Sequence, residues 1–294
     1  MHKPVLLNEV IETLNIQSGE TVLDGTVGGG GYLKEFCRLV GEKGIVIGLD
    51  QDNSVIERIK NKINFESLHL VNENFRNLDK ALGGLGISKV DKIVFDLGIS
   101  SDQLDESERG FSFQKNEPLL MTLKDESTVN DLTAKEIVNN WDEQNLADII
   151  FGYGEEKFAK KIAESISQAR KEKSIETTFD LIAIIKTAVP EWYQSKKIHF
   201  ATKTFQALRI AVNDEITALQ EGLEKGFNHL TVGGRMVIVS FHSKEDRIIK
   251  KFFKEKKIKQ EGILIVKKII TPTRDEVKKN PRSRSAKLRG IKKL

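Results

Sequence analysis

The sequence contains a single cysteine, Cys37, among 294 residues. No internal disulfide can form and no cysteine cluster can hold a metal, so a reducing compartment, the cytoplasm, is expected. Long apolar runs are missing as well. Stretches such as "GILIVKKII" (262–270) fall far short of the roughly 20 residues that a membrane span needs. Charged residues make up 31% of the chain, which fits a soluble protein with no membrane partner. The opening "MHKPVLLNEV" has no cationic stretch followed by an apolar one, so no secretory signal is expected. Internal repeats, low-complexity tracts and His/Cys/Asp groups at metal-ligand spacing are also lacking, and no catalytic metal is expected.

The charge that is present is unevenly spread. Residues 244–294 hold 19 Lys and Arg against 6 Asp and Glu, so a net charge of +4 combines a tail of +13 with a body of −9. A cationic segment on an acidic body suits a polyanion, because each neutralised phosphate releases a condensed counterion. Nucleic acid is the leading partner. The alternative is a solvated helix face followed by a disordered tail.

From residue 21 onward, short apolar runs alternate with amphipathic stretches. "TVLD", "GIVIGLD", "LHLVN" and "DKIVFDLG" read as strands, each ending in a polar residue or glycine. This βαβ rhythm predicts a parallel α/β sheet with ligands at the strands' carboxyl ends, where Asp24, Asp50 and Asp96 fall. From about 105 to 196 the pattern is helical only. Thr133 with Glu136 forms a capping box, Phe158, Ile162 and Ile166 recur every four residues, and another helix is expected over 179–189. The spacing therefore predicts, from the amino to the carboxyl end, α/β residues 1–104, an inserted all-helical domain at 105–196, and α/β residues 197–294. In the last part Phe205, Leu208, Val212, Ile216, Leu219, Leu223 and Phe227 share one helix face, ended by Gly233 and Gly234. "RMVIVSFHS" reads as a fifth strand, "KEDRIIKKFFKEKK" as a helix, and the remainder as a closing strand pair. Trp141 and Trp192 are expected to pack the helical insert, the alternative being a stack on an unpaired base.

"LDGTVGGGGYL", residues 23–33, sets four glycines between a strand and a helix. Such a turn lets backbone N–H groups approach a ligand. A phosphate-binding P-loop would end in Gly-Lys-Ser/Thr, whereas this one ends in Gly31-Tyr32-Leu33. A dinucleotide fingerprint starting at Gly28 would need glycine where Leu33 stands, which weakens a nicotinamide cofactor without excluding it. Asp50, some twenty residues on, can accept hydrogen bonds from both hydroxyls of a ribose; otherwise it caps the helix beginning "NSVIERI". Asp24 would repel a pyrophosphate and attract an ammonium, which favours S-adenosylmethionine, a ligand with an ammonium and a sulfonium and no phosphate. Its alternative role is to satisfy loop N–H groups.

The longer strings go further. "DLGISSDQLDESERGFSF", "YGEEKFAKKIA", "TKTFQALRIAVNDE" and "VSFHSKEDR", in that order, resemble the ribosomal small-subunit RNA methyltransferase H family, RsmH or MraW. The resemblance runs from "HKPVLLNEV" to "NPRSRSAKLR" and implies a class I, Rossmann-like S-adenosylmethionine-dependent methyltransferase sheet with a helical insert. It also implies methylation of the N4 amino group of a cytidine in small-subunit (16S) ribosomal RNA, with that RNA or the assembled small subunit as partner, and leaves room for a homodimer. Carried over by motif, cofactor contacts fall on Gly30, Gly31, Tyr32, Asp50, Phe75, Asp96 and Gln103. Phe75 would pack on adenine, unless it is an ordinary core aromatic. Gln103 would bond the methionine end, unless it only braces its loop.

This chain departs from the family's usual pattern near the pocket. Tyr32 stands where histidine is usual, Leu120 and Thr122 where an aspartate and an arginine are usual, and Lys203 where an arginine is usual. Lysine keeps the charge but lacks the bidentate fork. The rival readings are accordingly a catalytically weak or inactive paralogue acting in ribosome assembly, and a methyltransferase with another substrate. For chemistry, the N4 lone pair of cytosine is delocalised into the ring. A hydrogen-bond acceptor on N4–H and in-line placement would both help the attack. Asp96 is the first candidate acceptor, and His242 the second as base contact or proton relay; each has a plainer alternative, Asp96 as a cofactor contact only and His242 as a structural residue. Asn213 and Asp214 are weaker candidates. Arg282, Arg284, Lys287 and Arg289 are expected to hold RNA phosphates.

Overall fold

A computed structural model describes residues 4–100, 103–104, 107–125 and 131–294. The four runs singled out above become the strands β1 (Thr21–Asp24), β2 (Ile45–Asp50), β3 (Leu68–Asn72) and β4 (Val90–Asp96). Three more follow: β5 (Leu230–Ser240), β6 (Gly262–Leu264) and β7 (Lys287–Lys293). They form one sheet in the order β3-β2-β1-β4-β5-β7-β6, parallel from β3 to β5, with β7 antiparallel to both β5 and β6. This is the Rossmann-like α/β sheet expected from the sequence.

Side chains on the central strands alternate between two cores. Val22, Val46, Val94, Val237 and Val239 face one side, with Val10 and Leu14 of the helix Leu7–Leu14 and Leu33, Phe36 and Val40 of the helix Gly31–Val40. Leu23, Ile47, Ile93, Phe95, Met236 and Ile238 face the other, with Leu219, Leu223 and Phe227 of the helix Glu215–His229 and Ile249 and Phe253 of the helix Ser243–Ile258. Helix cover on both faces is why these strands read as unbroken apolar runs rather than as alternating ones.

The chain separates into two compact units, 1–98 with 216–294, and 99–215. Residues 197–215, grouped above with the α/β part, thus pack within the helical unit, where Phe200, Ala201, Phe205 and Leu208 join its core. The reason is a break in what reads as one long helix. Asp214 takes a left-handed conformation (φ 48°), ending Thr202–Asn213 before Glu215–His229 begins. Its neighbour Asn213 is a clamp: Oδ1 accepts from Leu123 N–H (2.8 Å), and Nδ2 donates to the Met121 carbonyl (2.8 Å). Asn213 and Asp214 are thereby given structural work in the helical unit.

The helical unit contains the expected capping box of Thr133 and Glu136 and a second one, Thr177 with Asp180, opening Thr178–Ala188. Ile162 and Ile166 are buried, as their spacing predicted, and Trp141 packs against the same core. Trp192 packs only by its edges, against Phe158 and Tyr193, and is 55% exposed. In the α/β unit, Gly233 and Gly234 lie inside β5 rather than ending a helix. Gly233 has φ 84°, a Cβ on Gly234 would stand 2.9 Å from the carbonyls of Asp91 and Thr231, and pairing with β4 slips between Val90 and Lys92. Glycine there allows a bulge and a close backbone approach. Among the described residues no helix is long and apolar enough to cross a membrane.

Candidate functional site

The sheet's order reverses at β1, whose neighbours β2 and β4 lead away in opposite directions, and such a switch point opens a crevice at the carboxyl ends. Register fixes what lies there. Asp24 is level with Gly48 of β2 and Val94 of β4, so Asp50 and Asp96 each stand two residues further along, one on either side. All three carboxylates therefore gather at one edge.

Asp24 is fully buried. Its Oδ1 accepts from Thr26 N–H (3.0 Å), while Oδ2 has no partner. Burial pushes its carboxyl up to about 7; the Thr26 N–H opposes this and Asp50 adds to it. Asp96 is similar, with a buried, unpartnered Oδ1 and a carboxyl raised well above the usual range by burial, then by Asp24 and Glu245. Thr26 connects the two, since its Oγ1 accepts from Asp96 N–H at 2.7 Å. This residue was missed in the sequence; the only signal was its place in "DGT", where a hydroxyl next to an aspartate turn can bond locally. Asp50 is better served: Oδ2 accepts from Gly28 N–H (2.9 Å) and Oδ1 from Asp52 N–H (3.0 Å). Burial still pushes it up to about 6. It is Asp52, not Asp50, that caps the helix Asn53–Lys60, through Ser54 N–H.

The loop between β1 and the next helix needs glycine for identifiable reasons. Gly28 and Gly30 have φ 49° and 74°, and a Cβ on Gly31 would meet the Pro4 ring at 2.3 Å. A Cβ on Gly29 would meet nothing within 4 Å. The loop is thus packed on its protein side and bare at Gly29. Tyr32 turns inward: it is buried, stacks on Phe36, and its hydroxyl donates to the Val5 carbonyl. Burial, Asp96 and Asp24 keep that phenol neutral far above its ordinary range.

Phe75, half-buried, lies against Phe95 with centroids 4.9 Å apart. Gly25 and Gly222 make room for the pair, since a Cβ on either would stand 2.4–2.5 Å from one of the rings. Gly25→Ala should therefore cost about 1–3 kcal/mol, read as a lower denaturant midpoint, and should displace Phe75 enough to weaken any ligand stacked on it.

His242 sits at the end of β5, where it caps Ser243–Ile258: Nδ1 accepts from Glu245 N–H at 3.3 Å. Nε2 is 3.1 Å from Glu245 Oε1 but makes no hydrogen bond. Glu245 is itself buried, and its Oε2 accepts from Phe241 N–H at 2.8 Å. Gln103 lies in the helical unit. It is buried, and its Oε1 accepts from Ser100 N–H (3.0 Å), the loop-bracing role named above as its alternative. Of the basic tail, Arg289 makes a two-pronged pair with Asp246 (2.7 and 3.2 Å) that Lys287 joins at 3.5 Å, on a strand of the sheet. Leu120 is half-buried and Thr122 buried, in the segment that Asn213 clamps.

The donor set discriminates between ligands. Two buried carboxylate oxygens without partners, beside a third carboxylate, would repel a pyrophosphate and attract a cation. The lone pairs left on Asp50 suit hydroxyls, and the Phe75 face suits a flat ring. Each feature fits a nucleoside that carries an amino-acid side arm and positive charge.

Residues 1–294 match the MraW methylase family. Among curated relatives, the Ribosomal RNA small subunit methyltransferase H of Ruminiclostridium cellulolyticum is 42% identical over 315 aligned positions, covering 100% of this chain and 99% of the relative. The protein of the same name from Clostridium botulinum is 43% identical over 309 positions with the same coverage. That of Halothermothrix orenii is 41% identical over 308, covering 98% and 97%.

Proposed function

The chain belongs to the MraW methylase family, and on that premise we propose that it transfers a methyl group from S-adenosylmethionine to the N4 amino group of a cytidine in small-subunit ribosomal RNA. The observation that carries the cofactor side is the pair of buried, unpartnered oxygens, Asp24 Oδ2 and Asp96 Oδ1, at the switch point. When bound, the cofactor supplies an electrophilic methyl on a sulfonium. The residues would hold it as follows: Asp24 takes the ammonium, Asp50 the ribose hydroxyls, Phe75 the adenine face, and the bare backbone of the glycine loop the remainder.

Asp96 is the acceptor for N4–H. A carboxylate on that hydrogen pulls electron density toward nitrogen and favours the pyramidal amine that attacks, then receives the proton released on transfer. Thr26 is a positioning residue, holding the Asp96 backbone through Oγ1 and the Asp24 carboxylate through its N–H. Tyr32, whose phenol feels both Asp96 and Asp24, stays neutral and bonded to the Val5 carbonyl. With ribosomal RNA as substrate, the cytoplasm is the proposed place of action. His242 is retained as a contact for the base, with Nε2 the free nitrogen.

Purified protein with labelled cofactor should methylate small subunits taken from cells lacking the enzyme, and mass spectrometry should place the label on cytidine N4. Silence from protein that binds S-adenosylhomocysteine, with activity gained on Leu120→Asp and Thr122→Arg, would instead favour the inactive paralogue.

A further inference from the structure

Trp192, in the helix Glu191–Gln194, exposes 55% of its surface, an open indole in a helical unit whose core lies elsewhere. Two lysines crowd its ring. Lys157 Nζ lies 4.2 Å and Lys196 Nζ 5.0 Å from the indole centroid, and each also approaches Tyr193, at 5.4 and 5.0 Å. Like charges gathered on one ring repel, and among the described residues neither ammonium forms an ion pair. Phe158 and Tyr193 meet the indole edge-on at 6.1 and 5.8 Å.

The support beneath is rigid. Glu156 is fully buried, accepting from Tyr193 Oη (2.5 Å) and from Phe158 N–H (2.9 Å). A buried carboxylate is costly unless hydrogen-bonded, and here its bonds fix the two rings that flank Trp192. Lys160, Lys161 and Lys197 are exposed on the same two segments. A fixed, open indole between unneutralised cations matches one chemistry closely: a base for the ring and phosphates for the ammoniums. Stacking on aromatics is tolerant of sequence, because every base has a π-face.

We propose that Trp192, Lys157 and Lys196 form a docking platform on the helical unit for an unpaired segment of RNA. It rests on the RNA-substrate reading above. A lysine over an exposed indole contributes only about 0.5–1 kcal/mol, so a base can displace it at little cost while the ammonium swings to a phosphate.

The test uses the full chain and an unstructured oligouridylate, with affinity measured by filter binding across a salt series. Trp192→Ala is expected to weaken binding about ten-fold, and Trp192→Phe by less. The double variant Lys157→Gln, Lys196→Gln should flatten the plot of log affinity against log salt by about 1.4, at roughly 0.7 per phosphate on a single strand. Unchanged affinity and slope in variants with unchanged thermal midpoints overturn the proposal, as does displacement by polyglutamate that is indifferent to Trp192. Should Trp192→Ala fail to fold, the lysine pair, exposed on the surface, decides alone. Methyl transfer is followed in parallel. Transfer to small subunits at an unchanged KM in every variant removes the platform and leaves the activity standing. Weakened oligouridylate binding in variants of a protein that never methylates does the reverse.

Discussion

Asp96→Asn should bind S-adenosylhomocysteine within a few-fold of the unaltered protein yet transfer methyl groups about 10²- to 10⁴-fold more slowly. The expectation comes from where the charge is and when it is needed. Asp96 ends β4 with one oxygen buried and unpartnered, and Asp24 and Glu245 lie close enough to raise its pKa. Asparagine keeps the shape and the backbone bond to Thr26 but can neither receive a proton nor carry the charge that stabilises the developing positive amine. The raised carboxyl adds a pH dependence with a definite sign. Asp96 works as an acceptor only when ionised, so transfer should increase with pH as it loses its proton, and the increase should vanish in the variant. The competing role, a cofactor contact only, predicts the opposite split: a large loss of cofactor affinity with kcat preserved. Isothermal titration with adenosylhomocysteine, beside single-turnover rates at saturating cofactor, separates the two.

The parts of this arrangement that were legible in the sequence are those set by periodicity. β1, β2 and β4 are buried on both faces, so they stand out as short apolar runs, and each of the three aspartates closes its run because the strand stops where the crevice opens. The family was legible from long strings, which composition could never supply. What escaped reading was decided by single atoms or single dihedral angles. Asp214 breaks a continuous apolar stripe by adopting φ 48°, a conformation for which glycine or asparagine is the usual signal. Asp52 takes the cap two residues after Asp50, leaving Asp50 to the loop, and both choices are compatible with the same "LDQDNS". Thr26 matters through its bond to the Asp96 N–H, a backbone group brought near by the sheet that no local pattern encodes. The closing strand pair expected at the basic end is present as β6 and β7, but the charge count treats that end as a free cationic tail, whereas β7 also pairs with β5 and Arg289 is committed to Asp246. Charge counts report how many cations a segment has, not how many are already paired.

Asp24→Asn should make the cofactor-free protein more stable at pH 8 while lowering cofactor affinity, because the site holds a charge in a place where the fold alone would not put one. In the unfolded chain the carboxyl ionises near its ordinary 3.8; in the folded protein it does so at about 7. Between those values the folded state keeps a proton that the unfolded state has released. The stability tied to this group is therefore complete below 3.8, falls as pH rises, and is fully lost above about 7. The difference corresponds to roughly 4 kcal/mol. Asparagine never ionises and escapes that loss, but its amide lacks a buried partner where Oδ2 has none, which costs about 1–3 kcal/mol. The net gain is about 1–3 kcal/mol at pH 8, a rise of several degrees in Tm, disappearing as the pH is lowered toward 4. Binding should move the other way. An ammonium next to ionised Asp24 is a charge-assisted contact whose removal weakens affinity about 10- to 100-fold. Below about pH 7 the unaltered protein must also release the Asp24 proton to bind. Calorimetry in two buffers of different ionisation enthalpy should therefore detect proton release at pH 6.5 that is missing in Asp24→Asn. A variant no more stable than the unaltered protein at pH 8, with proton release intact, would mean that this carboxyl is not the one poised for the cofactor's ammonium.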